Sequence, residues 1–204
     1  MRKGYQMRET LKSKWLVLML MACCGSAMAH THQGDEPMHT IPQPTSLFNI
    51  TDHWTTSEDK SFQLQELEGK PTVITMIYTS CQYVCPVVVE NMKKIQKAIP
   101  VSQAGKVNFV VVSFNPEDTA DKLKEFGKTH DIESPSWILA YGNAKYVRKL
   151  AVALGIKYKK TKSGDYEHDT IVTILDPSGV IKYQQNALGQ SMNGASLMLN
   201  KMLN

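Results

Sequence analysis

The chain has 204 residues, 42% of them apolar and 21% charged, and a formal net charge of +4, which suits one domain of ordinary globular composition plus a targeting segment. Positions 1–29 hold five basic residues and one acid, a net +4 that is the whole of the surplus. The remainder is close to neutral, which excludes a nucleic-acid partner, since that would need a basic surface.

Arg2, Lys3, Arg8, Lys12 and Lys14 precede an apolar run from Trp15 to Ala22 and then Ala27-Met28-Ala29. This is the layout of a secretory signal peptide with a small-residue cleavage site. The run is short of the ~20 residues that span a bilayer. Export is expected, to the periplasm or the outer face of the inner membrane. Leu20-Met21-Ala22-Cys23 also has the form of a bacterial lipoprotein signal, in which Cys23 would be acylated and supply the chain's membrane contact. An uncleaved anchor is a third reading.

Residues 30–46 are polar and contain Pro37, Pro42 and Pro44, as a flexible leader would. Cleavage after Ala29 would start the exported chain at His30-Thr31-His32. A free amine, two amides and the imidazole of His32 form a square-planar set that suits Cu(II). His30 and His32 are therefore a candidate secondary Cu(II) site, which acylation at Cys23 would abolish.

The folded domain is expected over 47–204. Short strands at 52–54 and 62–64 flank a turn. An apolar, β-branched run over 71–78 reads as a buried strand, and helical spacing of Val87, Val88, Met92, Ile95 and Ile99 predicts a helix over 86–99. A buried strand over 107–114 follows, then an amphipathic helix over 119–130 capped by Thr119 with Leu123, Phe126 and Gly127 on one side. A strand at 137–139 precedes a helix over 143–154 that Gly155 ends. A charged hairpin over 157–166 turns at Ser163-Gly164. Strands at 170–175 and 180–184 are joined by Asp176-Pro177-Ser178-Gly179, and Ser191 is placed to cap a last helix over 192–203. Alternating strands and helices that end in a hairpin and a helix predict an α/β fold, a central mixed sheet flanked by helices with an added β-hairpin. A Cys-bearing turn between the first major strand and the next helix makes it thioredoxin-like.

Cys23 and Cys24 leave with the signal, so the exported chain keeps Cys81 and Cys85 alone. They lie at the strand-to-helix junction, four positions apart. A disulfide closing so short a loop would stabilise little, because that contribution grows with loop length, so the pair reads as chemical rather than structural. A helix N-terminus favours negative charge and should ease ionisation of at least one thiol. Such a pair can exchange disulfides or bind a soft metal. Thioredoxin-type exchangers carry Cys-x-x-Cys and a facing cis-proline; this chain has Cys-x3-Cys and, ahead of the late strand, Glu167-His168-Asp169-Thr170. Two thiolates and the His168 imidazole suit Cu(I), and with one more ligand Cu(II). His53 reads as a core or turn residue, His130 as a helix C-terminal cation, and Met192 and Met198 as core.

Tyr78-Thr79-Ser80-Cys81-Gln82-Tyr83-Val84-Cys85-Pro86, then Ser113-Phe114-Asn115-Pro116-Glu117-Asp118-Thr119, then His168 ahead of 170–175 and Asp176-Pro177-Ser178-Gly179 together resemble the Sco/SenC family over about residues 60–185. The resemblance implies a thioredoxin-like, exported or membrane-tethered metallochaperone with Cys81, Cys85 and His168 as copper ligands. Its implied partner is the copper-site subunit of cytochrome c oxidase or another copper protein, with a thioredoxin-like reductant to keep the pair reduced. Two departures stand out: Gln82 where proline is common, and a 115–119 loop one residue shorter with an amide in place of an acid. They leave two alternatives open, a periplasmic thiol–disulfide oxidoreductase using Cys81 and Cys85, and a copper homeostasis protein unrelated to the oxidase.

Overall fold

A computed structural model describes residues 45–204, Ser134 excepted. The signal, Cys23 and the His30/His32 set lie outside the described residues. In chain order the strands are β1 (Trp54–Thr56), β2 (Ser61–Phe62), β3 (Thr72–Ile77), β4 (Asn108–Ser113), β5 (Trp137–Tyr141), β6 (Tyr158–Lys160), β7 (Tyr166–His168), β8 (Ile171–Leu175) and β9 (Ile181–Asn186). The α-helices are α1 (Val84–Lys97), α2 (Ala120–Thr129), α3 (Ala144–Leu154) and α4 (Asn193–Leu203).

The longest apolar runs became the centre of the sheet. β3 is buried at all six positions and β4 at five of six, as strands covered on both faces must be. They pair in parallel with each other, β4 pairs in parallel with β5, and β8 joins β3 from the other side in antiparallel sense. The full order is β2-β1-β5-β4-β3-β8-β9, with β6 and β7 forming a separate two-stranded sheet. This is the expected mixed, helix-flanked, thioredoxin-like sheet with its added hairpin.

The helices follow their sequence signals. Thr119 caps α2 by accepting from the Lys122 N–H, and Asn143 caps α3 by accepting from Lys145 and Tyr146. Gly155 ends α3 at φ +67°, a left-handed conformation in which a Cβ would be strained. Ser191 stands one place outside α4, whose N-cap is Met192, and its hydroxyl accepts from Asn193. Met192 is buried and Met198 packs against the core.

Several boundaries differ from expectation: β1 is Trp54–Thr56 rather than 52–54, β2 is Ser61–Phe62 with Leu64 opening a short 3-10 helix (Leu64–Leu67) instead of continuing the strand, and β5 runs on to Tyr141. α1 begins at Val84 rather than at Pro86. Proline is tolerated there because N–H groups in a first helical turn have no intrahelical acceptor to lose. The hairpin runs on to His168, which pairs with Tyr158, so the histidine belongs to β7 and not to the approach to β8. Aromatic packing beneath the hairpin, described below, holds that longer register. Among the described residues no helix is long and apolar enough to cross a membrane.

Candidate metal centre

The end of β3 delivers the first ligand position. After Ile77 the chain leaves the sheet through Tyr78 and Thr79, and the Cys81 N–H donates to the Tyr78 carbonyl at 3.3 Å. Helix α1 then begins, placing Cys85 in its first turn with its N–H donating to the Cys81 sulfur at 3.3 Å. Cys81 keeps 9% of its surface, whereas Cys85 has none. Both are free thiols. Cys81 opens into a mostly apolar groove of about 530 Å³ that Thr79, Gln82, Phe126 and His130 help to line, and Tyr83 beside it is 83% exposed.

These positions set the charges. The hydrogen bond from the Cys85 thiol, aided by the N–H groups of Cys85, Tyr83 and Val84, holds the Cys81 thiol down to about 4 against the opposing effect of burial. The same thiol pairing, then burial, pushes Cys85 up. The expected easing of ionisation thus falls on Cys81 alone, with helix N-terminal amides among its causes.

The third ligand position comes from the hairpin. His168 Nε2 lies 3.8 Å from the Cys85 sulfur, and ligand atoms of Cys81, Cys85 and His168 all lie within 4.8 Å of one another. His168 Nδ1 is 2.9 Å from the Asp169 carbonyl oxygen. A carbonyl only accepts, so the proton sits on Nδ1 and the Nε2 lone pair faces the sulfurs, the arrangement metal-binding histidines adopt. Nitrogen and sulfur ligands held about 2.0–2.3 Å from a shared ion would stand roughly 3.5–4 Å apart, so only a small closure separates this geometry from a trigonal site. The donor set fits a soft ion.

Around the imidazole stands an aromatic shell that the sequence did not single out. Phe114 lies 4.9 Å and Tyr78 5.8 Å from the His168 ring, centre to centre, with Tyr158 stacked on Phe114 at 5.1 Å and Tyr166 edge-on to it at 5.2 Å. Tyr78 donates to Asp165 at 2.9 Å, and burial, then that bond, push its phenol up. The Glu117–Lys160 pair, 2.7 Å apart, ties the 115–119 loop to β6. Asp118, 2% exposed, accepts from the Thr79 N–H and hydroxyl, the Ser113 hydroxyl and the Asn115 amide. A buried carboxylate requires such partners.

The other histidines stand apart from this centre. His53 lies just ahead of β1 and bonds Ser61 and Gln63. His130 is the C-cap of α2, with its ring 4.3 Å from Phe126; burial pushes its pKa down, which works against its expected role as a helix-end cation.

A family model described as SCO1/SenC matches residues 43–194. The chain belongs to the SCO1/SenC family. It is 20% identical to the SCO1 protein homolog of Bacillus subtilis (strain 168) over 179 residues, 85% of each chain. Among solved structures it is similar to Bradyrhizobium japonicum ScoI with copper bound, at 26% identity and a TM-score of 0.62 over 74% of this chain and 96% of that one. It is also similar to BsSco, a member of the Sco family of cytochrome c oxidase assembly proteins with a disulfide switch, at 19% identity and a TM-score of 0.64 over 74% of this chain and 90% of that one. At that identity the likeness to BsSco is one of fold.

Proposed function

We propose that this SCO1/SenC protein is an exported copper-binding protein that delivers copper to, or maintains the thiols of, the binuclear copper site of a respiratory cytochrome oxidase. The observation that carries the copper assignment is the convergence of two sulfurs and a tautomer-fixed imidazole nitrogen within 4.8 Å. Thiolates are soft donors that favour Cu(I), and an imidazole added to them extends the set toward Cu(II). Copper bound to the similar Bradyrhizobium ScoI supports the choice of metal, and the family of BsSco supports the oxidase as recipient. The composition of residues 1–29 supports a periplasmic location, either free or tethered through an acylated Cys23. The groove beside Cys81 and the exposed Tyr83 are where a recipient would approach. A thioredoxin-like reductant fits the need to keep the pair reduced outside the cytoplasm. Replacing either cysteine by serine is expected to abolish stoichiometric copper binding by the folded domain. Full retention in both variants would overturn the assignment.

A second reading has its own observation. A thiol of lowered pKa that keeps a small opening to a groove, beside a partner with none, is the layout of a nucleophilic and a resolving cysteine, as a thiol–disulfide oxidoreductase would use. Protein purified anaerobically separates the two readings. Copper near one per chain with negligible turnover of a model disulfide supports the chaperone, and the reverse supports the enzyme.

A further inference from the structure

We propose that Asn115 is a positioning residue for this centre: it bridges the cysteine loop to the histidine hairpin and so sets where the imidazole meets the thiolates. The inference rests on the copper-binding reading and concerns how the site is held together. Asn115 is 7% exposed and uses both ends of its amide. Its Nδ2 donates to Asp118 Oδ1 at 3.3 Å, and its Oδ1 accepts from the Tyr166 hydroxyl and the Glu117 N–H, each at 3.2 Å. Asp118 in turn accepts from Thr79 through both its N–H, at 2.9 Å, and its hydroxyl, at 2.7 Å.

The chain of contacts therefore runs Thr79, Asp118, Asn115, Tyr166. Its two ends stand two residues before Cys81 and two residues before His168. In β7 that spacing places Tyr166 and His168 on one face of the strand, and both rings pack on Phe114. Among the described residues β6 and β7 pair only with each other, so no backbone ladder there locks His168 to the sheet that carries the cysteines.

A carboxamide can donate to a buried carboxylate through its NH2 and accept from a phenol through its oxygen at once, without taking up a proton. Relatives that begin this loop with an acid have it one residue longer; in the shorter loop here an aspartate would set two buried carboxylates within hydrogen-bond distance, and the pair would either take up a proton or open the bridge. Replacing a group that hydrogen-bonds a metal ligand typically costs about 10–100-fold in metal affinity; Asn115 acts one step further out, so the low end of that range is the expectation here. The cost here should fall on the oxidation state that depends on His168.

The test uses the exported protein with His30, His32 and His39 replaced by alanine, so that thiolate-to-Cu(II) absorption and Cu(II) affinity report this centre alone. Asn115→Asp, Tyr166→Phe and the double variant are titrated with Cu(II) and Cu(I). Amide hydrogen exchange of 158–168 is measured without metal. Each single variant is expected to lose roughly tenfold in Cu(II) affinity with a shifted charge-transfer band, while Cu(I) affinity stays near the parent value. The double variant should be no worse than the poorer single, and exchange across the hairpin should quicken in all three. Equal losses for both copper states, or additive losses in the double variant, would mark a general destabilisation and overturn the proposal. So would parental binding and parental exchange in every variant. If Asn115→Asp fails to fold, Tyr166→Phe, which keeps the ring, carries the test. If the parent itself binds no copper, the functional reading fails, and hydrogen exchange alone still decides whether Asn115 holds the hairpin.

Discussion

The cysteine turn and the histidine hairpin meet at one point but are built by opposite means. Cys81 and Cys85 hang from a six-residue strand buried along its whole length and from the first turn of a fourteen-residue helix. Backbone hydrogen bonds fix them on both sides. His168 sits on a three-residue strand whose only ladder partner among the described residues is another three-residue strand. Side chains hold that pair down: the aromatic shell, two tyrosine hydroxyls and one exposed ion pair. On the proposed copper-binding reading, two of the candidate ligands are therefore held by backbone structure and the third by side-chain contacts. A centre of this kind can keep Cu(I) on its thiolates while the imidazole approaches or withdraws.

The sharpest way to break that contrast is Phe114→Ala. Phe114 is fully buried and touches Tyr78, Tyr158, Tyr166 and His168, so its loss should cost about 3–5 kcal/mol in urea unfolding. Hydrogen exchange should rise most across 158–168. Uniform exchange throughout the domain would mean the hairpin is no more loosely held than the cysteine turn.

A subtler effect follows from pH in the metal-free, reduced protein. With its thiol held down to about 4, Cys81 should alkylate at a nearly constant rate from pH 8 to pH 5, whereas a free thiol of pKa ~8.5 would slow about tenfold per unit. Because the folded value lies below the unfolded one, the stabilisation from Cys81 is fully present above the unfolded pKa and is lost as pH falls through about 4. Cys85, pushed the other way, loses stability as pH rises past the ordinary thiol range. Stability relative to Cys81→Ser should accordingly grow from pH 5 to pH 8. A flat difference would contradict the thiol pairing.

The smallest change is expected from Glu117→Gln. The Glu117–Lys160 pair is exposed at both ends, so the melting temperature should barely move and should become less sensitive to salt. A substantial loss would make the ion pair, rather than aromatic packing, the main tether of the hairpin.

How much of this was legible in the sequence follows the same division. The buried strand, the cysteine turn and the capped helices carry local signals: β-branched runs, Thr119, Asn143, Gly155. Those signals located nearly every element. His168 was legible as a residue because of its chemistry, but its strand was not, since the Tyr158–His168 register depends on packing against Phe114 and Tyr78, far away in sequence. The Asn115–Asp118 network was hidden for the same reason. Asn-Pro-Glu-Asp-Thr reads locally as a turn into a capped helix, and nothing in it announces a contact with Tyr166 fifty-one residues on.

The most direct test of rigid thiolates served by an adjustable imidazole is His168→Ala, in protein whose leader histidines 30, 32 and 39 are also alanine. Cu(I) and Cu(II) affinities are measured side by side by competition. The account predicts that much of the Cu(I) affinity survives, because two thiolates suffice for it, while most of the Cu(II) affinity and its thiolate charge-transfer spectrum are lost. Cu(II) affinity and spectrum equal to those of the His168 parent would contradict it, and would leave the cysteine pair to thiol exchange.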